Sequence, residues 1–127
     1  MSWCWIEKHA LLILHDESLT LHGGASGMRD EGLLDSALAR PRNLLAYGAP
    51  DFADLAAAYG VGLAKNHAFV DGNKRAAFLP VGLFLALNGY RLTAGQAEAT
   101  LTMLGVAAGD IDEAAFAAWL RSHAQLR

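Results

Sequence analysis

Five polar or charged groups of different chemistry fall within the nine residues His67-Ala68-Phe69-Val70-Asp71-Gly72-Asn73-Lys74-Arg75. They stand between two apolar, helix-forming runs. Packing alone gives no reason for that, because a buried charge is costly unless it is paired or coordinated. A helix opening at Gly72-Asn73-Lys74-Arg75 offers first-turn N–H groups that lack intrahelical partners, and its dipole favours an anion there. Gly72 lets an anion come close to the backbone. Lys74 and Arg75 add two cations, and a guanidinium grips phosphate oxygens with two prongs. The unit suits a polyphosphate. Asp71 would repel such a ligand unless a cation lay between them, and Mg²⁺ commonly binds through one or two carboxylates plus phosphate oxygens. His67, four residues before Asp71, can reach the same pocket, and an unperturbed imidazole, with a pKa of about 6.5, suits a general base toward a hydroxyl.

Each residue has a plainer reading when taken alone. His67 can be a structural histidine, Asp71 an N-cap, and Lys74 with Arg75 a solvated helix start. Cations at a helix N-terminus oppose its dipole, however, which makes an anionic ligand the better account of that pair. The joint spacing favours chemistry, because the plain readings would all have to coincide. Elsewhere they prevail. His9, His15, His22 and His123 have no metal-ligand spacing and are expected at the surface or half-buried. Trp3, Trp5 and Trp119 are expected in the core or a groove, and Cys4 as a small apolar filler. The segment Gly23–Arg29 is expected to be a connection, with a flap facing nucleotide or target as the minority reading.

The elements that must carry this loop are helical, since helical periodicity recurs and the alternation typical of strands is missing. Ile6, Ala10, Ile13, Leu14 and Glu17 share one face of an N-terminal helix that ends in His22-Gly23-Gly24-Ala25-Ser26-Gly27. Asp30 is placed to cap a second helix over 31–40, with Leu34, Ala37 and Leu38 inward and Pro41 disturbing its end. Asp51 is placed to cap a third, with Leu55, Ala58, Tyr59, Gly62 and Leu63 on one face, running toward His67. The fourth, 73–87, is almost wholly apolar and so is expected at the centre of a bundle. Pro80 should bend it or open a turn, and Asn88-Gly89 should stop it. Thr93 with Gln96, and Asp110 with Glu113, have capping-box spacing and open two further helices, the last burying Phe116, Trp119 and Leu120. The fold class that follows is all-α: one domain over 1–127, a compact six-helix bundle around a central buried helix.

Composition agrees. A chain of 127 residues, 54% hydrophobic and 18% charged, can bury a core without staples. A net charge of −3 lacks the basic excess of a general nucleic-acid binder, so none is expected. Cys4 is the lone cysteine, which excludes an internal disulfide and fits a reducing compartment. The longest apolar run, 76–87, is too short for a membrane span of roughly 18–20 residues, and no segment reads as a targeting sequence. A cytoplasmic location without membrane contact is the expectation.

The string His-x-Phe-x-Asp-Gly-Asn-Lys-Arg resembles the signature of the Fic/Doc superfamily in its Doc, or death-on-curing, form. General Fic proteins carry Gly where this chain has Lys74, and a second Arg where it has Phe78. Gly23-Gly24 followed by Gly27-Met28-Arg29-Asp30-Glu31-Gly32-Leu33-Leu34-Asp35-Ser36-Ala37 is similar to the upstream block of Doc-like toxins. Leu87-Asn88-Gly89-Tyr90 and Ala118-Trp119-Leu120 also fit, so the resemblance covers nearly the whole chain. Two positions depart from it: Ala68 replaces a common Pro, and Pro80 is not part of the pattern. Neither removes a group with a chemical role.

The resemblance implies the Fic/Doc-type fold and a set of roles. His67 matches the histidine that takes the proton from the target hydroxyl, and Asp71 the residue that holds Mg²⁺. Gly72, Asn73, Lys74 and Arg75 match the nucleotide-binding positions. The implied protein is the toxin of a type II toxin–antitoxin system, a kinase that moves the γ-phosphate of ATP to a Thr of elongation factor Tu and halts translation. A Phd-type antitoxin, docking a C-terminal helix in a groove, would hold it in check. Two alternatives stay open: a Fic-type AMP transferase acting on a protein hydroxyl, and a catalytically idle module that binds antitoxin and tunes transcription.

Overall fold

The size of the side chains, more than their apolarity, decides which helix lies at the centre. The structure is a computed structural model that describes residues 3–24, 27–66 and 73–127, with side chains from residue 77 onward in the last stretch. Its elements in chain order are α1 (Lys8–His22), α2 (Glu31–Ala46), α3 (Phe52–Asn66), α4 (Asn73–Leu87), β1 (Tyr90–Leu92), α5 (Gln96–Ala108), α6 (Glu113–Ser122) and β2 (Ala124–Leu126). The expected all-α class is what forms, with six helices among the described residues.

The innermost helix is α3, which corrects the expectation for 73–87. Ala53 and every residue from Leu55 to Ala64 are buried, and α2, α4, α5 and α6 all pack against it. Ala56, Ala57, Ala58, Gly60, Gly62 and Ala64 let neighbours close in from every side. A Cβ on Gly60 would lie 2.8 Å from Phe116 Cε2 and 2.9 Å from Val81 Cγ2. By contrast α4 buries Ala77, Val81, Phe84 and Leu85 but leaves Gly82, Ala86 and Leu87 exposed. Its bulkier apolar residues pack on one side, where Phe84 meets Tyr59 at 5.4 Å between ring centroids.

Other expectations shift for identifiable reasons. The inward face of α1 is Leu11, His15 and Leu19, while Ile13 is 47% exposed. That i, i+4, i+8 stripe is hidden in the sequence by its histidine, which at 2% exposed is buried, where a surface or half-buried place is expected. α2 continues past Pro41 to Ala46, with the proline buried alongside Leu34 and Ala37. Burying the ring offsets the missing backbone donor. α4 likewise runs unbroken through Pro80.

The expected caps at Asp30 and Asp51 are present. Asp30 Oδ1 accepts from Leu33 N at 3.1 Å. Asp51 Oδ1 accepts from Asp54 N at 2.9 Å, and Asp54 Oδ2 accepts from Asp51 N at 3.0 Å, a reciprocal pair. The other two differ. Gly95 precedes α5 without a side-chain cap, because the Thr93 hydroxyl instead donates to His123 O at 2.9 Å. Asp112, not Asp110, caps α6 by accepting from Ala115 N at 2.8 Å.

A short antiparallel sheet, absent from the sequence reading, pairs Tyr90 with Leu126, Arg91 with Gln125 and Leu92 with Ala124. Three residues a strand are too few for alternation to show. The turn before it gathers both ends of the chain. Asn88 Oδ1 accepts from Cys4 N at 2.9 Å and its Nδ2 donates to Cys4 O at 3.0 Å, while Gly89 O accepts from Arg127 N at 2.9 Å. Gly89 has φ +88°, as a helix stop requires. Cys4 is exposed and fills no gap; its tryptophan neighbours are half-buried against Phe84.

Candidate functional site

The chain leaves α3 at Asn66 and re-enters helix at Asn73, and these two helices pack directly on one another. His67, Asp71 and Gly72 fall in the six residues between and lie outside the described residues. Asn73, Lys74 and Arg75 form the first turn of α4, as the sequence predicts, with their side chains likewise outside the description. That turn contains no acidic residue, so its N–H groups and the positive end of its dipole meet no carboxylate from the helix itself.

The frame that flanks this connection is closely fitted on the α2 side. A Cβ on Gly62 would sit 3.1 Å from Arg40 Cδ and 3.4 Å from Ala37 Cβ, so the last turn of α3 lies tight against α2. One turn further, Asn66 Nδ2 donates to the Leu33 carbonyl at 3.0 Å. Leu33 belongs to the first turn of α2, the turn capped by Asp30. The block 27–37 that carried part of the sequence resemblance is therefore bonded to Asn66, the last residue before the other block. Asn66 was not singled out from the sequence; its bond spans 33 positions and leaves no local signature.

The approach from 23 to 29 is set by three glycines in the left-handed region, Gly23 at φ +81°, Gly24 at +127° and Gly27 at +121°. Other residues adopt such values only with strain. Met28 packs against the core while Arg29 is exposed.

Two cavities bracket the bundle. One of about 510 Å³ opens between α1, α4 and α5, with Phe78, Leu79 and Met103 as an apolar floor and Ser18, His22 and Thr100 at its rim. Phe78 and Leu79 lie one turn along α4 from Arg75. The other, about 400 Å³, lies where α2 turns into α3 and includes Asp54 and Glu113; it is at the far end of α3 from the loop.

Electrostatics near that far end are structural. Arg121 Nε sits 2.7 Å from Asp51 Oδ2, and the guanidinium holds the Asp51 carboxyl down at about 2. Arg40 joins α2 to Glu113 at 2.7 Å and donates to Ala58 O at 3.2 Å. At α1, hydrogen bonds to Asp35 and Glu31 push the Lys8 ammonium up. Among the histidines, His9 and His22 are exposed, and His123 stacks on Trp119 with 4.5 Å between ring centroids. Among the described residues no group of three or more His, Cys, Asp or Glu comes together to hold a metal, and no helix is long and apolar enough to cross a membrane.

Known proteins resemble this chain along most of its length. The model of the Fic/DOC family matches residues 5–85. A protein of Escherichia phage P1 named Protein kinase doc is 35% identical over 117 residues, which is 91% of this chain and 92% of the relative. A protein of Mycolicibacterium smegmatis named Toxin Doc is 49% identical over 75 residues, 57% of each chain.

Proposed function

The chain belongs to the Fic/DOC family, and from that membership we propose that it is the toxin of a type II toxin–antitoxin pair, a protein kinase that uses Mg²⁺ and ATP. The observation that carries the reading is that α4 begins at Asn73, so the Gly72-Asn73-Lys74-Arg75 string opens a helix whose first-turn N–H groups, without intrahelical partners, suit phosphate oxygens. The names of the relatives, a kinase and a toxin, support it.

In this reading His67 accepts the proton of a protein hydroxyl as its oxygen attacks the γ-phosphorus of ATP. The bond from that phosphorus to the β–γ bridging oxygen breaks, and ADP leaves. Asn73, Lys74 and Arg75 with the first-turn amides hold the phosphates in line, so positioning and charge stabilisation do most of the work. Asp71 would hold Mg²⁺, which when bound would add positive charge beside the phosphate oxygens. A first turn free of acidic residues fits that ligand set. The acceptor is a Thr of elongation factor Tu, and a cytoplasmic location follows from that target. A Phd-type antitoxin is the partner, and the cavity between α1, α4 and α5, apolar-floored and beside the loop's helix, suits its docked helix.

The test is transfer to purified elongation factor Tu from ATP labelled at the α or the γ position. Label from γ alone is expected; label from α alone would make the protein an AMP transferase instead. In cells lacking antitoxin, His67→Ala is expected to relieve growth arrest, and equal arrest by both forms would show that catalysis is not the cause.

A further inference from the structure

We infer that Asn66 is a positioning residue for the transfer reaction, acting through its bond to the Leu33 carbonyl; this rests on the kinase reading of His67. Asn66 is the last residue of α3, and a single peptide bond joins it to His67. Whatever fixes the end of α3 therefore fixes where the histidine's backbone begins. Two contacts on the same face do so. Gly62, one turn earlier, brings the backbone of α3 against Arg40 and Ala37. Asn66 then closes the seam with the 3.0 Å bond from Nδ2 to Leu33 O.

The acceptor is itself held. Leu33 lies in the first turn of α2, and its N–H is tied to Asp30 Oδ1 at 3.1 Å. A carbonyl oxygen has two lone pairs, so Leu33 O can accept from Asn66 and still serve its own helix. The chain Asp30, Leu33, Asn66 thus transmits the rigidity of a capped helix start to the residue beside the base. Lys65, the other end residue of α3, is exposed and cannot replace it. A helix end without such a tie frays, and catalytic geometry tolerates little fraying: a misplacement of about 1 Å costs on the order of 100-fold in rate.

The test compares wild type, Asn66→Asp and Asn66→Gln in γ-phosphate transfer to elongation factor Tu, with thermal unfolding of each. Asp keeps the shape but cannot donate, and its charge faces a carbonyl. We expect kcat to fall by about 100-fold for Asn66→Asp, with the KM for ATP within about twofold and Tm lowered by only a few degrees, the loss of one hydrogen bond. Gln retains a donor and should recover part of the loss. A folded Asn66→Asp protein with wild-type kcat would overturn the inference and leave the kinase reading standing. A uniform loss of Tm and activity in both variants would reduce Asn66 to a stability residue and overturn it too. Wild type that transfers no γ-label would overturn the kinase reading first, and the inference with it.

Discussion

Gly60 has no side chain, and the space where one would go is already taken. Alanine there would press on the Phe116 ring and the Val81 methyl, at 2.8 and 2.9 Å, so Gly60→Ala should destabilise by about 1–3 kcal/mol. Gly82 is the control, exposed on α4 with nothing within 4 Å of a new Cβ; Gly82→Ala should stabilise by roughly 0.5–1 kcal/mol through helix propensity. Urea midpoints measure both, and a neutral Gly60→Ala would refute the tight seating of α3. Residues such as His67, Asp71 and Arg75 announce themselves in sequence because unlike charges cluster where packing has no use for them. His15 and Asn66 do not. A histidine on a buried stripe breaks the apolar pattern that would reveal the stripe, and an amide whose partner is 33 positions away looks like any surface polar group.

Elements were legible where their ends are local events. Asp30, Asp51 and Asn88-Gly89 bound helices through bonds to nearby backbone, and such short-range chemistry can be read from the chain. It failed where a distant group competed. Thr93 has the spacing of a cap, yet its hydroxyl goes to the carbonyl of His123; Pro41 looks like a terminator, yet burial carries α2 onward. The choice between Asp110 and Asp112 gives a direct check. Asp112→Ala should cost about 1 kcal/mol by freeing Ala115 N, whereas Asp110→Ala, at an exposed position, should stay within about 0.5 kcal/mol. Equal losses in denaturant titrations would contradict the observed start of α6. The central place of α3 was missed for a related reason: the unbroken apolar run 76–87 marks α4 as inner, while only the neighbours' approach shows that small residues matter more.

Over the whole molecule, Arg121 ties the last helix to the start of α3 through Asp51 and Asp54. Asp51 titrates at about 2 when folded, below its ordinary 3.8, so the folded state binds its proton less readily than the unfolded chain. The stabilisation is therefore complete above about pH 4 and is lost as pH falls toward 2. The pair is partly exposed, so screening limits its worth to about 1 kcal/mol or less. Melting curves at pH values spanning that range should show a steeper loss for wild type than for Arg121→Ala, and parallel curves would exclude the linkage. The turn at 88 and 89 has a practical side. It holds Cys4 and Arg127 together at one end of α4, and the fifteen residues of that helix put Asn73 about 22 Å away at the other. A dye or a bead coupled to the exposed thiol of Cys4 would thus be anchored about a helix length from Asn73, leaving that pole of the molecule unencumbered.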